Sequence, residues 1–201
     1  MLILRRQQGV SLLELLIGVA IVSILLAAGM PTFGLWVQNT QVRTAAESIQ
    51  NGLQTARNEA VRRNTNVRFN LTSSTGLVTW QVCVMAGANC GDVIAQRAAA
   101  EGGENARVGI SVNAPPTPVP ATQYATALAA GAGLSEEGGA GVTFNGLGSI
   151  PTAIGTDITR IDITNALAND ARRLVIIVGT GGLTRMCDPL HALSSNPQGC
   201  S

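Results

Sequence analysis

The longest unbroken run of apolar positions lies near the start of the chain, from Val10 to Met30. Its 21 residues contain no Arg, Lys, Asp or Pro, and Glu14 is the only ionisable side chain among them. At about 1.5 Å per residue a helix of this length spans roughly 30 Å, the thickness of the hydrocarbon core of a bilayer. The run therefore predicts a membrane helix, transmembrane over residues 10–30.

A second helical pattern follows this run and extends to Arg63. Apolar residues recur at every third or fourth position, with polar residues between them. This stripe comprises Val42, Ala45, Ala46, Ile49, Leu53, Ala56, Ala60 and Val61. We predict one helix over residues 10–63, amphipathic over 36–63, with the stripe packed on the rest of the chain. Pro31 is expected to kink this helix or to mark its exit from the membrane.

Beyond residue 63 the period changes to the alternation of a β-strand. Val67, Phe69 and Leu71 alternate with polar residues, and the apolar run 77–85 follows a polar turn, which predicts a hairpin. Further β-runs are expected at Val93–Arg97, Arg107–Val112, Val142–Asn145, Arg160–Thr164, Arg172–Val178 and Leu183–Cys187. The fold class is therefore α+β, a long N-terminal α-helix packed on a small antiparallel β-domain over residues 64–201.

Three interpretations compete for the apolar N-terminus. An ordinary secretory signal has a shorter apolar core followed by a small-residue cleavage site, whereas here Met30 is followed by Pro31. A plain signal anchor with an unrelated periplasmic domain fits the length. It gives Glu14 no role, although a carboxylate in a membrane segment costs about 3 kcal/mol unless it is neutralised or paired. The third interpretation is a short basic leader, then Gly9, then a hydrophobic helix that carries Glu as its fifth residue.

This third pattern, Arg5-Arg6-Gln7-Gln8-Gly9 followed by Val10–Leu16, resembles the class III signal of type IV pilins and type II secretion pseudopilins. The resemblance implies that residues 1–9 are a leader peptide. A prepilin peptidase would cleave it on the cytoplasmic side between Gly9 and Val10, and Val10 would then be N-methylated. Most members of the family begin the mature chain with Phe, so Val10 is a departure. The resemblance also implies that Glu14 pairs with the N-terminal amine of a neighbouring subunit and so sets the axial register of a filament.

Short segments in the C-terminal third narrow the resemblance. They are Phe144-Asn145-Gly146-Leu147-Gly148, the strand Leu174–Val178, and Arg185-Met186-Cys187 after a Gly-rich turn. They resemble the H-type pseudopilins of type II secretion and the related minor pilins of type IV fimbriae. The implied function is that of a structural subunit that helps to initiate or cap a type IV pilus or a type II secretion pseudopilus.

The same resemblance implies a location and a set of partners. The chain would be a single-pass protein of the bacterial inner membrane, with its C-terminal domain in the periplasm, and would later be incorporated into the pilus or pseudopilus. The implied partners are other pilins or pseudopilins, the prepilin peptidase and the inner-membrane assembly platform. The residues favour neither the pilus nor the secretion system.

Composition adds little to this interpretation except through charge and cysteine. Thirteen basic and twelve acidic residues give a net charge of +1, so bulk charge does not indicate a nucleic-acid-binding protein. Four cysteines in a domain outside the cytoplasm indicate disulfides, and they allow three connectivities. We expect the sequence-adjacent pairs, Cys83–Cys90 around a small loop and Cys187–Cys200 as a clasp on the tail.

DNA binding for uptake is an alternative function, because some minor pilins of this family bind DNA. Those members carry an Arg-x-Arg pair in the final hairpin, where this chain has Leu183 and only Arg185 matches. Together with Arg172 and Arg173 on the preceding strand, Arg185 forms at most a small positive patch. Because each phosphate contact adds to affinity, three arginines predict weak binding only.

No catalytic or cofactor site is predicted. The chain has no P-loop, no H-E-x-x-H and no G-x-S-x-G motif. A zinc site is disfavoured because there is no C-x-x-C and His191 is the only histidine. We therefore expect no enzyme activity, no metal and no cofactor.

Overall fold

The structure is a computed structural model that describes residues 11–116, 119–120, 122–134, 140–151 and 157–201. At residues 28–32 it describes only the backbone. The described part of the chain begins with a single long helix. Helix α1 covers Leu12–Arg63. Ser11 caps its start, since the Ser11 hydroxyl accepts a hydrogen bond from the Glu14 backbone N–H at 3.2 Å. Asn64 ends it in the left-handed conformation, with φ of 48°.

Helix α1 is shared between two compact units, which divide between Val37 and Gln38. Among the described residues, no helical stretch is both long and apolar enough to be assigned as a membrane span. Of the predicted span 10–30, Val10 and the side chains at 28–30 lie outside the described residues. The helical assignment continues across Pro31, whose side chain is not described, so the kink there stays a prediction.

The second half of α1 is amphipathic, as predicted, with a face that is wholly buried. Seven of the eight predicted stripe residues have no exposed surface: Val42, Ala45, Ala46, Ile49, Leu53, Ala56 and Ala60. The prediction for Val61 was wrong, because half of this side chain is exposed. Adjacent helix positions point about 100° apart, so the burial of Ala60 turns Val61 away from the core.

Eight antiparallel strands within the described residues form two sheets of four. The first has the order β3-β2-β1-β5 and the second the order β4-β6-β7-β8. The strands are β1 Val67–Leu71, β2 Trp80–Ala86, β3 Asn89–Arg97, β4 Ala106–Ser111, β5 Ala140–Phe144, β6 Arg160–Asn165, β7 Leu174–Val178 and β8 Thr184–Cys187. Residues of both sheets join the buried helix face in one core.

Helix α1 approaches the first sheet closely at Gly52. A Cβ there would lie 2.7 Å from Phe69 Cε2 and 3.3 Å from Trp80 Cδ2. The two rings lie against each other, with centroids 5.7 Å apart. The Trp80 indole N–H donates to the Ser48 hydroxyl at 2.8 Å, which satisfies the polar edge of the ring inside the core. Glycine is therefore required at 52 by close packing.

Two details of the β-region differ from prediction. The small loop expected between Cys83 and Cys90 is instead a hairpin, in which Ala86 pairs with Asn89 and Gly87 takes a positive φ of 66°. Strand β7 begins at Leu174, so Arg172 and Arg173 precede it and are not strand residues. Residues 122–134, which are rich in Ala and Gly, form turns and irregular structure before β5.

We predict that Gly52→Ala lowers the free energy of unfolding by about 1–3 kcal/mol. Ala is ordinarily favoured over Gly in a helix by about 1 kcal/mol, but here the added methyl group would overlap the buried Phe69 ring, and overpacking costs more. The measurement is urea denaturation of the full chain in detergent. Gly34→Ala is the matched control, because a Cβ at 34 meets nothing within 4 Å. A Gly52→Ala variant as stable as Gly34→Ala would contradict the prediction.

Candidate functional site

The N-terminal half of α1 is a continuous apolar surface exposed to solvent. Its large side chains between Leu12 and Leu26 are all more than half exposed: Leu12, Leu13, Leu15, Leu16, Ile17, Val19, Ile21, Val22, Ile24, Leu25 and Leu26. They lie on every side of the helix rather than in one stripe. A helix that is apolar all round is stable only when lipid or other helices surround it. This surface is therefore the candidate site of assembly.

Glu14 is the one ionisable side chain in this part of α1, over the described residues 11–37. It lies in the first turn, where the helix dipole favours a negative charge. No cation within the described part of the chain forms an ion pair with its carboxylate. Gly9 and Val10, the predicted processing residues, lie outside the described residues.

The three arginines considered for DNA binding are all engaged with acceptors of this chain. Arg172 Nε lies 2.6 Å from the buried Asp188 carboxylate, and Arg185 donates to the Cys200 carbonyl at 2.9 Å. Arg173 is largely buried and pairs with Asp162 at 2.7 Å. Because two of the three charges are compensated by carboxylates, these residues do not support the predicted positive patch.

A buried charge cluster that the sequence did not reveal lies on the second sheet. Asp162 is fully buried and accepts hydrogen bonds from Arg160 at 2.6 and 2.8 Å and from Arg173 at 2.7 Å. The two guanidinium groups also donate to backbone carbonyls at 123–126, and the Leu128 N–H donates to Asp162 at 3.0 Å. The cluster therefore holds the segment 122–128 against the sheet.

The segment held by this cluster covers a second, smaller core. Tyr124 packs there with Val175, Cys187 and Cys200, and the Arg160 guanidinium lies 5.1 Å above the Tyr124 ring. Burial raises the pKa of the Tyr124 hydroxyl, and the positive charges of Arg160 and Arg185 oppose that rise. The second sheet is thus packed on both faces.

Two disulfides cross-link residues within the second unit. One joins Cys83 to Cys90 across the β2–β3 hairpin, and the other joins Cys187 in β8 to Cys200 in the tail. These are the sequence-adjacent pairs, and they leave no cysteine free. Within the described residues, no group of three or more His, Cys, Asp or Glu side chains is placed to hold a metal ion.

Comparison with known proteins identifies the family. A family model described as Type II transport protein GspH matches residues 45–182, and a model of the prokaryotic N-terminal methylation motif matches residues 4–30. The chain belongs to the GspH family. It is a minor pilin or pseudopilin, a pilin-like subunit that is anchored to a membrane and associates with other pilins or pseudopilins.

A solved structure is similar to this chain in fold. The type IV minor pilin FimU of Pseudomonas aeruginosa strain PAO1 matches in two crystal forms. In one the identity is 14% and the TM-score 0.50, with 83% of this chain and 99% of FimU covered. In the other crystal form the identity is 16% and the TM-score 0.48, with 79% of this chain and 99% of FimU covered. A search of curated proteins finds no match.

The candidate residues fall in different parts of the two family matches. Gly9, Val10 and Glu14 fall within the methylation motif, while the GspH match runs from the buried face of α1 to the turn at Gly182. The Asp162 cluster lies inside the GspH match, whereas the Cys187–Cys200 disulfide lies beyond it. GspH-family proteins are structural subunits, and the buried cluster accordingly stabilises the fold.

We predict that Asp162→Asn lowers the free energy of unfolding by about 3–5 kcal/mol, because it leaves two guanidinium groups without their carboxylate. The segment 122–128 should also become sensitive to protease. Thermal unfolding and limited proteolysis of the full chain measure the two effects. Glu47→Gln removes the exposed pair with Arg43 and should change stability by less than about 0.5 kcal/mol. Equal effects of the two substitutions would contradict the structural role of the cluster.

Proposed function

We propose that this subunit is of low abundance and helps to initiate or cap a type IV pilus or a type II secretion pseudopilus. The observation that carries the proposal is the exposed apolar surface of α1 over Leu12–Leu26. A single copy in water cannot bury this surface, whereas a bundle of neighbouring N-terminal helices can. The second unit has its own buried core, so its fold does not depend on burial of this helix surface.

Processing precedes assembly in this proposal. The chain is inserted into the inner membrane with Arg5 and Arg6 on the cytoplasmic side, where positive charges are retained. The prepilin peptidase then cleaves between Gly9 and Val10, Val10 is N-methylated, and the assembly platform extracts the helix into the filament. The second unit lies in the periplasm, an oxidising compartment that suits a chain whose cysteines all form disulfides.

Glu14 would set the register of the helix within the bundle. In a filament its carboxylate would pair with the Val10 amine of a neighbouring subunit. The methylated amine remains protonated at neutral pH, so it can neutralise a carboxylate that the helix itself leaves without a cation. Because an unpaired charge among packed apolar helices is strongly destabilising, the register that makes this pair is favoured over the others.

We predict that Glu14→Gln leaves processing of the chain intact but reduces its assembly into filaments. The amide keeps the size of the side chain but cannot pair with a charged amine, and loss of a buried pair costs about 3–5 kcal/mol. We expect intact mass and N-terminal sequencing of the membrane fraction to show a chain that begins at methylated Val10. The amount of the subunit recovered in sheared filaments should fall at least about tenfold.

The matched control is Ser23→Ala, which removes a hydroxyl that donates a hydrogen bond to the Val19 carbonyl on the same helix at 2.7 Å. This variant should be processed and assembled as the parent chain is. Assembly of Glu14→Gln at the parental level would contradict the role of Glu14. A parent chain that still begins at Met1 would contradict the whole proposal and favour a plain signal anchor.

A further inference from the structure

The four edge strands of the two sheets differ in what lies beside them. Strand β4 is covered, because the Ile110 N–H donates to the Ala132 carbonyl at 2.8 Å. Strand β5 is also covered, since the Ile158 N–H donates to the Gly141 carbonyl at 3.0 Å. The pairing of β3 with β2 is interrupted by register shifts, and such irregularities discourage the addition of another strand at an edge. Strand β8 differs from these three, because its register with β7 is unbroken and part of its other side is uncovered among the described residues.

The uncovered backbone groups of β8 belong to Thr184 and Met186. In the turn that leads into β8, the Gly179 N–H donates to the Leu183 carbonyl at 2.9 Å. Hydrogen-bonded and non-hydrogen-bonded pairs alternate along an antiparallel ladder, and the next pair in the register is Val178 with Thr184. The N–H and C=O groups of Thr184 and Met186 therefore point away from β7, and within the described part of the chain nothing bonds them. Both residues are partly exposed.

The next outward position, Asp188, shows that this edge accepts another strand. The Asp188 N–H donates to the Gln198 carbonyl at 2.7 Å, and Asp188 pairs with Gly199 of the tail in a parallel bridge. The Gln198 N–H, which would continue this ladder toward Met186, donates instead to Asn196 Oδ1 at 2.9 Å. The tail therefore pairs with the end of the edge and leaves the two positions before it uncovered.

Space for an added strand lies between this edge and α1. A cleft of about 250 Å³ beside Thr184 is lined by Leu53 and Arg57 of α1. A second cleft, of about 160 Å³, lies beside Met186 and is lined on α1 by Arg43. Each of the two outward-facing residues of β8 therefore has open space beside it that α1 borders.

Arg57 places a positive charge in the cleft beside Thr184. Its Nε donates to the Gly148 carbonyl at 3.0 Å, and no carboxylate of the described residues lies within ion-pair distance of its guanidinium. Arg43, beside the other cleft, is by contrast paired with Glu47 at 2.8 Å. Because a hydrogen bond between a guanidinium and a carboxylate is stronger than a neutral one, Arg57 favours an acidic segment in its cleft.

We propose that the uncovered edge of β8 binds an extended, acidic segment of a different pilin-like subunit, which adds a strand beside β8. An extended chain supplies backbone donors and acceptors at the spacing of Thr184 and Met186, and an Asp or Glu of that segment pairs with Arg57. A second copy that paired through its own β8 would bring no carboxylate to Arg57, because that strand has no acidic residue. The class of partner follows from the family, whose members associate with other pilins or pseudopilins. This contact rests on the proposed function, because the chain must assemble beside another subunit for the segment to reach it.

Proline at position 184 tests the backbone contact. Thr184→Pro removes an N–H that does not bond β7, and proline is tolerated on an edge strand, so thermal unfolding of the full chain in detergent should be unchanged. We expect the amount of the subunit recovered in sheared filaments to fall at least about fivefold, because the added strand loses a hydrogen bond and meets the proline ring. The matched control is Thr184→Val, which keeps the N–H and should assemble as the parent chain does. N-terminal sequencing of each variant should show a chain that begins at methylated Val10.

Photo-cross-linking from α1 identifies the bound segment. Benzoylphenylalanine is introduced at Gln54, which is exposed and lines the cleft beside Thr184, and cells that assemble the filament are irradiated. We expect mass spectrometry to identify a linked peptide from another chain that carries the N-terminal methylation motif, with an Asp or Glu in an extended segment. The yield should be at least about fivefold higher than from Val93, an exposed position in β3. Arg57→Gln should lower the yield severalfold, whereas Arg57→Lys, which keeps the charge, should retain it.

Three results would overturn the contact at β8. The first is a linked peptide from a second copy of this chain, from a protein without the methylation motif or from an α-helix. The second is an equal yield from positions 54 and 93. The third is parental assembly of Thr184→Pro with an undiminished cross-link, which would leave the proposed function intact. A parent chain that begins at methylated Val10 but is absent from filaments would instead contradict the proposed function, and the contact with it.

Discussion

The small-residue face of α1 allows the helix to lie directly against the aromatic pair Phe69 and Trp80. Gly52 lies against the two rings, so the backbone approaches closely there and the rings fill the space that a larger side chain at 52 would take. Ser48 satisfies the indole of Trp80 within the same contact. Both sheets place residues in this core, so their positions depend on the buried face of α1 and on the close approach at Gly52.

The second sheet adds a different kind of constraint, because it is packed on both faces. Ile161 and Ile163 point into the main core, while Asp162 between them is buried on the other face with Arg160 and Arg173. A buried carboxylate is tolerated only when it is paired and its remaining lone pairs are satisfied. Here the same hydrogen bonds that satisfy it also hold the segment 122–128 and cover the Cys187–Cys200 disulfide.

The two units of the chain differ in how much of their apolar surface is exposed to solvent. The unit from Gln38 onward has a buried core built from its own apolar side chains, whereas the large apolar side chains of the described helix before Val37 are all exposed where they are described. The first behaviour is that of a folded domain and the second is that of a surface completed by other molecules. The methylation motif matches within the first unit and the GspH model within the second, so one pilin-like chain contains both.

The sequence by itself determined the elements whose signal is periodic. The stripe of α1, the alternation in β1 and the pattern Gly9, Val10, Glu14 could be recognised because each depends on the spacing of residues along one element. The α+β class and the family followed from these features. Val61 was misjudged because periodicity cannot say where the edge of a buried face lies.

Only the tertiary structure decided what each polar residue does. The predicted β-run Arg160–Thr164 places Arg160 and Asp162 on one polar face, but alternation in a strand does not indicate whether another segment covers that face. Arg172 and Arg185 likewise find their acceptors in the tail after Cys187, and no local pattern indicates that pairing. The physical reason is that burial of a charge depends on partners distant in sequence, whereas helix and strand periodicity depend on near neighbours.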